Sequence, residues 1–163
     1  MYIRYLNFPT VPEYLIEPIE DILKGPFTFD AGYFKSRSVG SDLESWLQTI
    51  FPYKISALYQ VSNYTLPIHV DVGIDAEVGD RIFAINYILE PGGDQVFTNV
   101  YAHDKTTVLQ STNIEAQRWH YLTTHEYHGL TGLTPTRDRV SISITTKDQK
   151  TVLKNLFNYI MVP

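Results

Sequence analysis

His69, Asp71 and a group of histidines further along are the side chains of this sequence best suited to chemistry. LPIHVDVGID, residues 66–75, sets a histidine and a carboxylate two positions apart in an otherwise apolar run. In an extended chain, side chains at i and i+2 share a face, so His69 and Asp71 project together and Ile68, Val70 and Val72 oppositely. A neutral imidazole nitrogen and a carboxylate oxygen can both bind one metal ion, at about 2.0–2.2 Å. Taken alone, the pair equally suits a solvated face or a structural His–Asp hydrogen bond. A third ligand is available. Of the five histidines, His120, His125 and His128 fall within RWHYLTTHEYHGL, residues 118–130, whereas His103 sits beside Asp104 in a turn-like AHDK. Downstream, RDRVSISI (137–144) puts Arg139, Ser141 and Ser143 on one face of a strand and Val140, Ile142 and Ile144 on the other. Such a strand turns its polar face either to solvent or into a barrel mouth, with the apolar face packed under helices.

Elements able to position these groups follow from periodicity. Residues 11–24 carry the stripe of a short amphipathic helix, with Pro18 splitting it or marking a late start. A second helix is expected over 41–50, with Ser41 as N-cap, Glu44 at the capping-box position and Pro52 ending it. From Tyr53 onward, short segments rich in Val, Ile, Tyr and Thr predict strands at 54–61, 66–72, 81–89, 95–102, 106–111, 117–123 and 138–145. PGGD (91–94) and AHDK (102–105) read as hairpin turns, and VGD (78–80) as another break. Val152, Leu153, Leu156, Phe157 and Ile160 recur at helical spacing in the tail. The expected architecture is mainly β with flanking helices. It is one domain over 1–163, with N-terminal helices in 11–50, a β core over 54–146 and a C-terminal helix over 147–160.

Bulk properties narrow the function classes. The chain has 163 residues, is 44% hydrophobic and carries a net charge of -5, which suits one globular domain. No two Lys or Arg residues are adjacent, so no nucleic-acid partner is expected. The absence of cysteine excludes disulfides, thiolate nucleophiles and thiolate metal sites. The start lacks the pattern of a signal peptide and no stretch is apolar for about 18 residues, so a cytoplasmic, membrane-free location is expected.

The order His69-x-Asp71, a distal His128, then Arg139-x-Ser141 resembles the Fe(II)- and 2-oxoglutarate-dependent oxygenases, over roughly residues 54–146. The texture is most similar to their prolyl-hydroxylase-like and aspartyl/asparaginyl-hydroxylase-like branches, which include small stand-alone members in bacteria and phages. That resemblance implies a double-stranded β-helix (a jelly-roll, cupin-like barrel) and a hydroxylase coupling substrate oxidation to decarboxylation of 2-oxoglutarate. It implies Fe(II) on His69, Asp71 and His128, with 2-oxoglutarate and dioxygen filling the open positions. Arg139 and Ser141 would receive the far carboxylate, since a guanidinium binds carboxylate bidentately and stays charged. Tyr59, ten residues before His69, would touch the cosubstrate, and Arg81 would support it. The glycine that relatives carry between such a Tyr and the His is absent from YQVSNYTLP. His125 and His120 compete with His128 as distal ligand, Arg137 competes with Arg139, and Asn86 suits either a pocket or a structural role. Trp119 reads as core.

Two other readings stand beside this one. A cupin-like or degenerate domain would bind metal or a small ligand without oxygenation, although the usual cupin His-x-His pair is missing. A metal-free β fold would keep the His–Asp pair as structure. The substrate, whether small molecule, amino acid or peptide, would be set by loops at 73–80, 91–94 and 131–136 and by the N-terminal segment.

Overall fold

Alternation along three central strands decides how the chain folds. The computed structural model describes residues 2–64, 66–71 and 81–156. Its strands are β1 (Ile3–Tyr5), β2 (Phe29–Asp30), β3 (Phe34–Ser38), β4 (Ser56–Ser62), β5 (Phe83–Glu90), β6 (Phe97–Tyr101), β7 (Val108–Thr112), β8 (Trp119–Thr123), β9 (Tyr127–Thr131) and β10 (Arg139–Thr145). The helices are α1 (Ile19–Lys24), α2 (Ser41–Ile50) and α3 (Gln149–Leu156). A larger antiparallel sheet runs β1-β8-β5-β10-β4-β3-β2, and a smaller one runs β7-β6-β9. From β4 onward the chain passes repeatedly from one sheet to the other, which makes the jelly-roll barrel anticipated from the sequence.

In β4, β5 and β10 one parity is apolar. Ala57, Tyr59 and Val61, then Phe83, Ile85 and Tyr87, then Val140, Ile142 and Ile144 form one buried cluster with Ile22 of α1, Leu43 and Leu47 of α2, and Val152 and Leu156 of α3. Each such side chain removed from water contributes about 1.5–3 kcal/mol, which fixes the face that the helices cover. The opposite parity therefore turns inward. It places Leu58, Gln60, Ser62, Ala84, Asn86, Ile88, Arg139 and Ser141 along a cavity between the sheets. A smaller cluster of Ile3, Ala84, Ile88, Val100, Ile114 and Leu122 joins the two sheets.

Several expectations need correction. The first helix starts only at Ile19, with Pro18 as N-cap, after a 3-10 turn at Glu13–Leu15. The second spans the residues expected, but Gly40 is its N-cap and no side chain caps it, so the Ser41–Glu44 box does not form. PGGD joins β5 and β6, which lie in different sheets, so it is a crossing and not a hairpin. AHDK does close a hairpin between β6 and β7, where Asp104 Oδ1 accepts the Thr106 and Thr107 N–H groups. Of the strand expected at 66–72, the described residues 66–71 form no ladder: a single bridge ties His69 to His128. Pro67 removes a donor there, and a lone bridge is what remains. Residues 72–80, with the VGD break and the 73–80 loop, and the tail from Phe157 lie outside the described residues. Among the described residues, no helix is long and apolar enough to cross a membrane.

Candidate metal centre

Two backbone hydrogen bonds bring the distant histidines together. The His69 N–H donates to the His128 carbonyl at 2.9 Å, and the His128 N–H returns to the His69 carbonyl at 2.8 Å. The Asp71 N–H donates to the Thr124 carbonyl at 2.9 Å, which anchors the end of the same segment. Close approach depends on Gly129. A Cβ there would stand 2.9 Å from the Leu66 carbonyl oxygen and 3.4 Å from that of Pro67. Gly129→Ala is therefore expected to push residues 66–68 outward, taking His69 with them, and to weaken metal binding about tenfold while the fold persists. Titration with Mn(II), followed by electron paramagnetic resonance, checks this; unchanged affinity would contradict the packing argument.

The ligand-capable atoms of His69, Asp71 and His128 all lie within 4.8 Å of one another. Asp71 Oδ1 is 3.4 Å from His69 Nε2 and 3.6 Å from His128 Nε2. The imidazole protons are committed elsewhere: His69 Nδ1 meets the Pro67 carbonyl at 2.7 Å and His128 Nδ1 the Glu126 carbonyl at 2.9 Å. A carbonyl only accepts, so each Nδ1 carries the hydrogen and each neutral ring aims an Nε2 lone pair at the carboxylate. Three lone-pair groups then face one another, an arrangement that calls for a cation between them. The protonation equilibria reflect the same geometry. Asp71 lifts the His69 imidazole above its usual range against the opposing effect of burial, whereas burial pushes His128 down. Burial works to raise the Asp71 carboxyl, yet the hydrogen bond that a protonated His69 Nε2 would donate and the Arg81 charge hold it below the usual carboxylate range.

Arg81 braces the cluster from behind. Its Nη1 is 3.8 Å from Asp71 Oδ2, and its Nη2 donates to Ser143 Oγ at 2.8 Å. Deeper in the same cavity, of about 720 Å³, lie Arg139, Ser141, Asn86, His120 and Thr98. Arg139 is 6% exposed and its Nη1 has no partner among the described residues. Burial lowers its pKa to about 10, so it is a cation at neutral pH. His120 Nε2 faces the Asn86 amide nitrogen at 3.5 Å, which leaves the hydrogen on Nδ1, and that atom is also without a partner. Thr98 Oγ1, Arg81 Nε and the acceptor Asn86 Oδ1 are likewise without partners among the described residues. Neutral, buried donors and one unpaired guanidinium thus line one pocket, and such groups require an acceptor.

His120 also carries a pH signature. Burial, then the Arg139 charge, depresses its pKa from 6.5 to about 3. Between those values the unfolded chain binds a proton that the folded chain excludes, so stability falls as pH drops below 6.5. At pH 4.5 that loss amounts to about 2–3 kcal/mol. Urea unfolding of the parent and His120→Gln at pH 7 and 4.5 checks this; the variant should lose less, and equal losses would refute it.

The remaining sequence candidates separate cleanly. Tyr59 does not face the pocket: it is fully buried in the cluster under the helices, its hydroxyl accepting the Glu17 N–H at 3.2 Å. The expected cosubstrate contact is therefore corrected, because Tyr59 has the outward parity of β4. His125 lies outside the cluster, with Nδ1 3.0 Å from Thr123 Oγ1. Arg137 is exposed and approaches Glu90 at 3.8 Å. Trp119 is core, its Nε1–H donating to the Pro9 carbonyl at 2.9 Å. Thr98 and the β2–β3 hairpin line the cavity without a local sequence signal that marks them.

No family model matches the chain, and no curated protein matches it. Solved structures do match. An oxidoreductase of the 2OG-Fe(II) oxygenase family from Burkholderia pseudomallei is 9% identical, with a TM-score of 0.51 over 77% of this chain and 74% of that one. The hydroxypropylphosphonic acid epoxidase of S. wedmorenis is 10% identical, with a TM-score of 0.47 over 85% of this chain and 64% of that one, so the chain spans under two thirds of it. A Bacillus subtilis oxalate decarboxylase is 12% identical, with a TM-score of 0.45 over 78% of this chain and 29% of that one. At these identities the likeness is one of fold. The chain has a jelly-roll fold whose His–Asp–His cluster could hold a metal.

Proposed function

We propose that this protein is an Fe(II)- and 2-oxoglutarate-dependent dioxygenase, acting as a hydroxylase on a small-molecule, amino-acid or peptide substrate in the cytoplasm. The observation that carries the reading is the pairing of two unmet demands in one cavity. The ligand-capable atoms of His69, Asp71 and His128 converge as the ligands of a shared cation would, and buried Arg139 Nη1 has no partner among the described residues. A 2-oxo dicarboxylate bridging a metal and a guanidinium answers both.

When bound, Fe(II) with 2-oxoglutarate supplies oxidation of a substrate C–H bond by dioxygen, coupled to decarboxylation of 2-oxoglutarate to succinate and carbon dioxide. The chain's own residues bind and orient. His69 and His128 present Nε2 because backbone carbonyls hold each Nδ1–H, and Asp71 presents Oδ1 while Arg81 engages Oδ2. Two imidazoles and one carboxylate would hold Fe(II) and leave positions for other ligands, unlike a closed structural site. Arg139 receives the far carboxylate, with His120 Nδ1–H, Thr98 and Ser141 as neutral donors around it. A charge-assisted bond to this buried guanidinium is worth more than one in water.

Calorimetric titration of Mn(II)-loaded protein with 2-oxoglutarate tests the proposal. Binding that requires the metal supports it; equal binding without metal, or none with it, rejects it.

A further inference from the structure

The cavity has one wall with no part in holding metal or cosubstrate. Phe29, Ala31, Tyr33 and Phe34 of the β2–β3 hairpin line it, together with Leu66 and Pro67, which run alongside. These rings are unusually open to water: Phe29 is 54% exposed and Tyr33 43%, with Tyr64 nearby in sequence at 51%. Leaving grouped rings in water forfeits burial, and such patches mark sites that bind something. Looseness does not explain the exposure, because the hairpin is pinned. The Ala31 N–H donates to the Phe34 carbonyl at 2.9 Å, Gly32 N–H to Asp30 Oδ1 at 2.7 Å, and Asn63 N–H to the Tyr33 carbonyl at 3.3 Å. Phe29 and Phe34 sit tilted with ring centroids 6.1 Å apart.

Charge limits what this wall can receive. Among the described residues lining the cavity, the carboxylate is Asp71, already facing both histidines and Arg81, whereas Arg81 and Arg139 are cations. Among these described residues an ammonium group would meet no free acid. Space is not limiting. A volume of about 720 Å³ falls in the range that encloses drug-sized ligands and exceeds what the ten non-hydrogen atoms of 2-oxoglutarate fill.

We infer that the primary substrate presents a flat, uncharged aromatic group, seated against Phe29, Tyr33 and Phe34 at the mouth above the metal cluster. This rests on the metal-centre reading and adds the substrate class. Offset or edge-on ring packing supplies the recognition.

Proton relaxation in the full-length Mn(II)-loaded protein with 2-oxoglutarate tests it, using indole as the aromatic probe and hexylamine as the cationic one. Water-proton relaxation reports the metal and calorimetry the cosubstrate. Indole protons should relax strongly, hexylamine protons no more than with a metal-free control. The exposed-ring variant F29A/Y33A should reduce the indole effect at least about fivefold, with metal and 2-oxoglutarate binding unchanged. Unrelaxed indole beside bound Mn(II) overturns the inference, as does indole insensitive to the variant or hexylamine relaxing more strongly. No change in water relaxation would instead reject the metal centre, and this inference with it.

Discussion

Exchanging Asp71 for alanine should lower divalent-metal affinity by at least about 100-fold while leaving the barrel folded. Asp71 supplies the anionic donor of the cluster, and its Oδ1 is the atom both Nε2 lone pairs face, at 3.4 and 3.6 Å. Without it, two neutral imidazoles remain, next to an Arg81 whose Nη1 has lost its carboxylate and whose charge repels a cation. The barrel does not depend on this side chain, since the helix-covered core lies on the opposite face of the sheet. The parent protein should gain about 2.7 kcal/mol of unfolding free energy at metal one hundred times above its dissociation constant. The variant should gain nothing measurable at that concentration. Unfolding with and without Mn(II) reads both; equal stabilisation of parent and variant would mean that metal binds elsewhere.

Arg139→Met is expected to act in two directions at once. Its guanidinium is buried, charged and short of a partner on Nη1, a state that costs free energy in the unliganded protein. Replacing an uncompensated buried charge by a thioether of similar length should leave the unliganded protein equally stable or more so, by up to about 1–4 kcal/mol. The same change should weaken 2-oxoglutarate binding by about 100-fold or more, because truncating one partner of a buried charged pair costs roughly 2–5 kcal/mol. Metal affinity should hold, since Arg139 lies outside the cluster. Thermal unfolding of the unliganded form and calorimetry of the Mn(II) form separate these effects. Strong destabilisation without ligand would show that Arg139 is a structural residue whose partner lies outside the described residues.

Strand parity was the most readable feature of this sequence, and it also exposes the main error. The alternation of RVSISI predicts a polar row facing either solvent or a barrel mouth, and the structure puts Arg139 and Ser141 along the cavity and Ser143 buried against Arg81. Applied to ALYQVS, the same rule puts Tyr59 with Ala57 and Val61 on the helix side. Spacing to His69 alone pointed to the pocket, and spacing carries no information about faces. The distal histidine shows what local sequence lacks. His120, His125 and His128 are close together along the chain, and the backbone bridge to His69, made possible by Gly129, separates them. Strand β9 went unseen because YHGLT has a glycine and no apolar alternation, so its pairing with β6 is a tertiary decision. The two-residue β2 is likewise held by its neighbour β3, and its aromatic rings gain meaning only from the cavity beside them.

On the proposed function, one metal ion on His69, Asp71 and His128 would chelate a 2-oxo acid held at its far end by Arg139. Anaerobic titration with Fe(II) and then 2-oxoglutarate, followed by visible absorption, tests it most directly. A weak charge-transfer band should appear on adding 2-oxoglutarate, vanish in His128→Ala and require far more cosubstrate in Arg139→Met. Bound iron with no band would contradict the claim and leave a cupin-like metal site without this cosubstrate; no bound iron would make the cluster a structural part of the barrel wall.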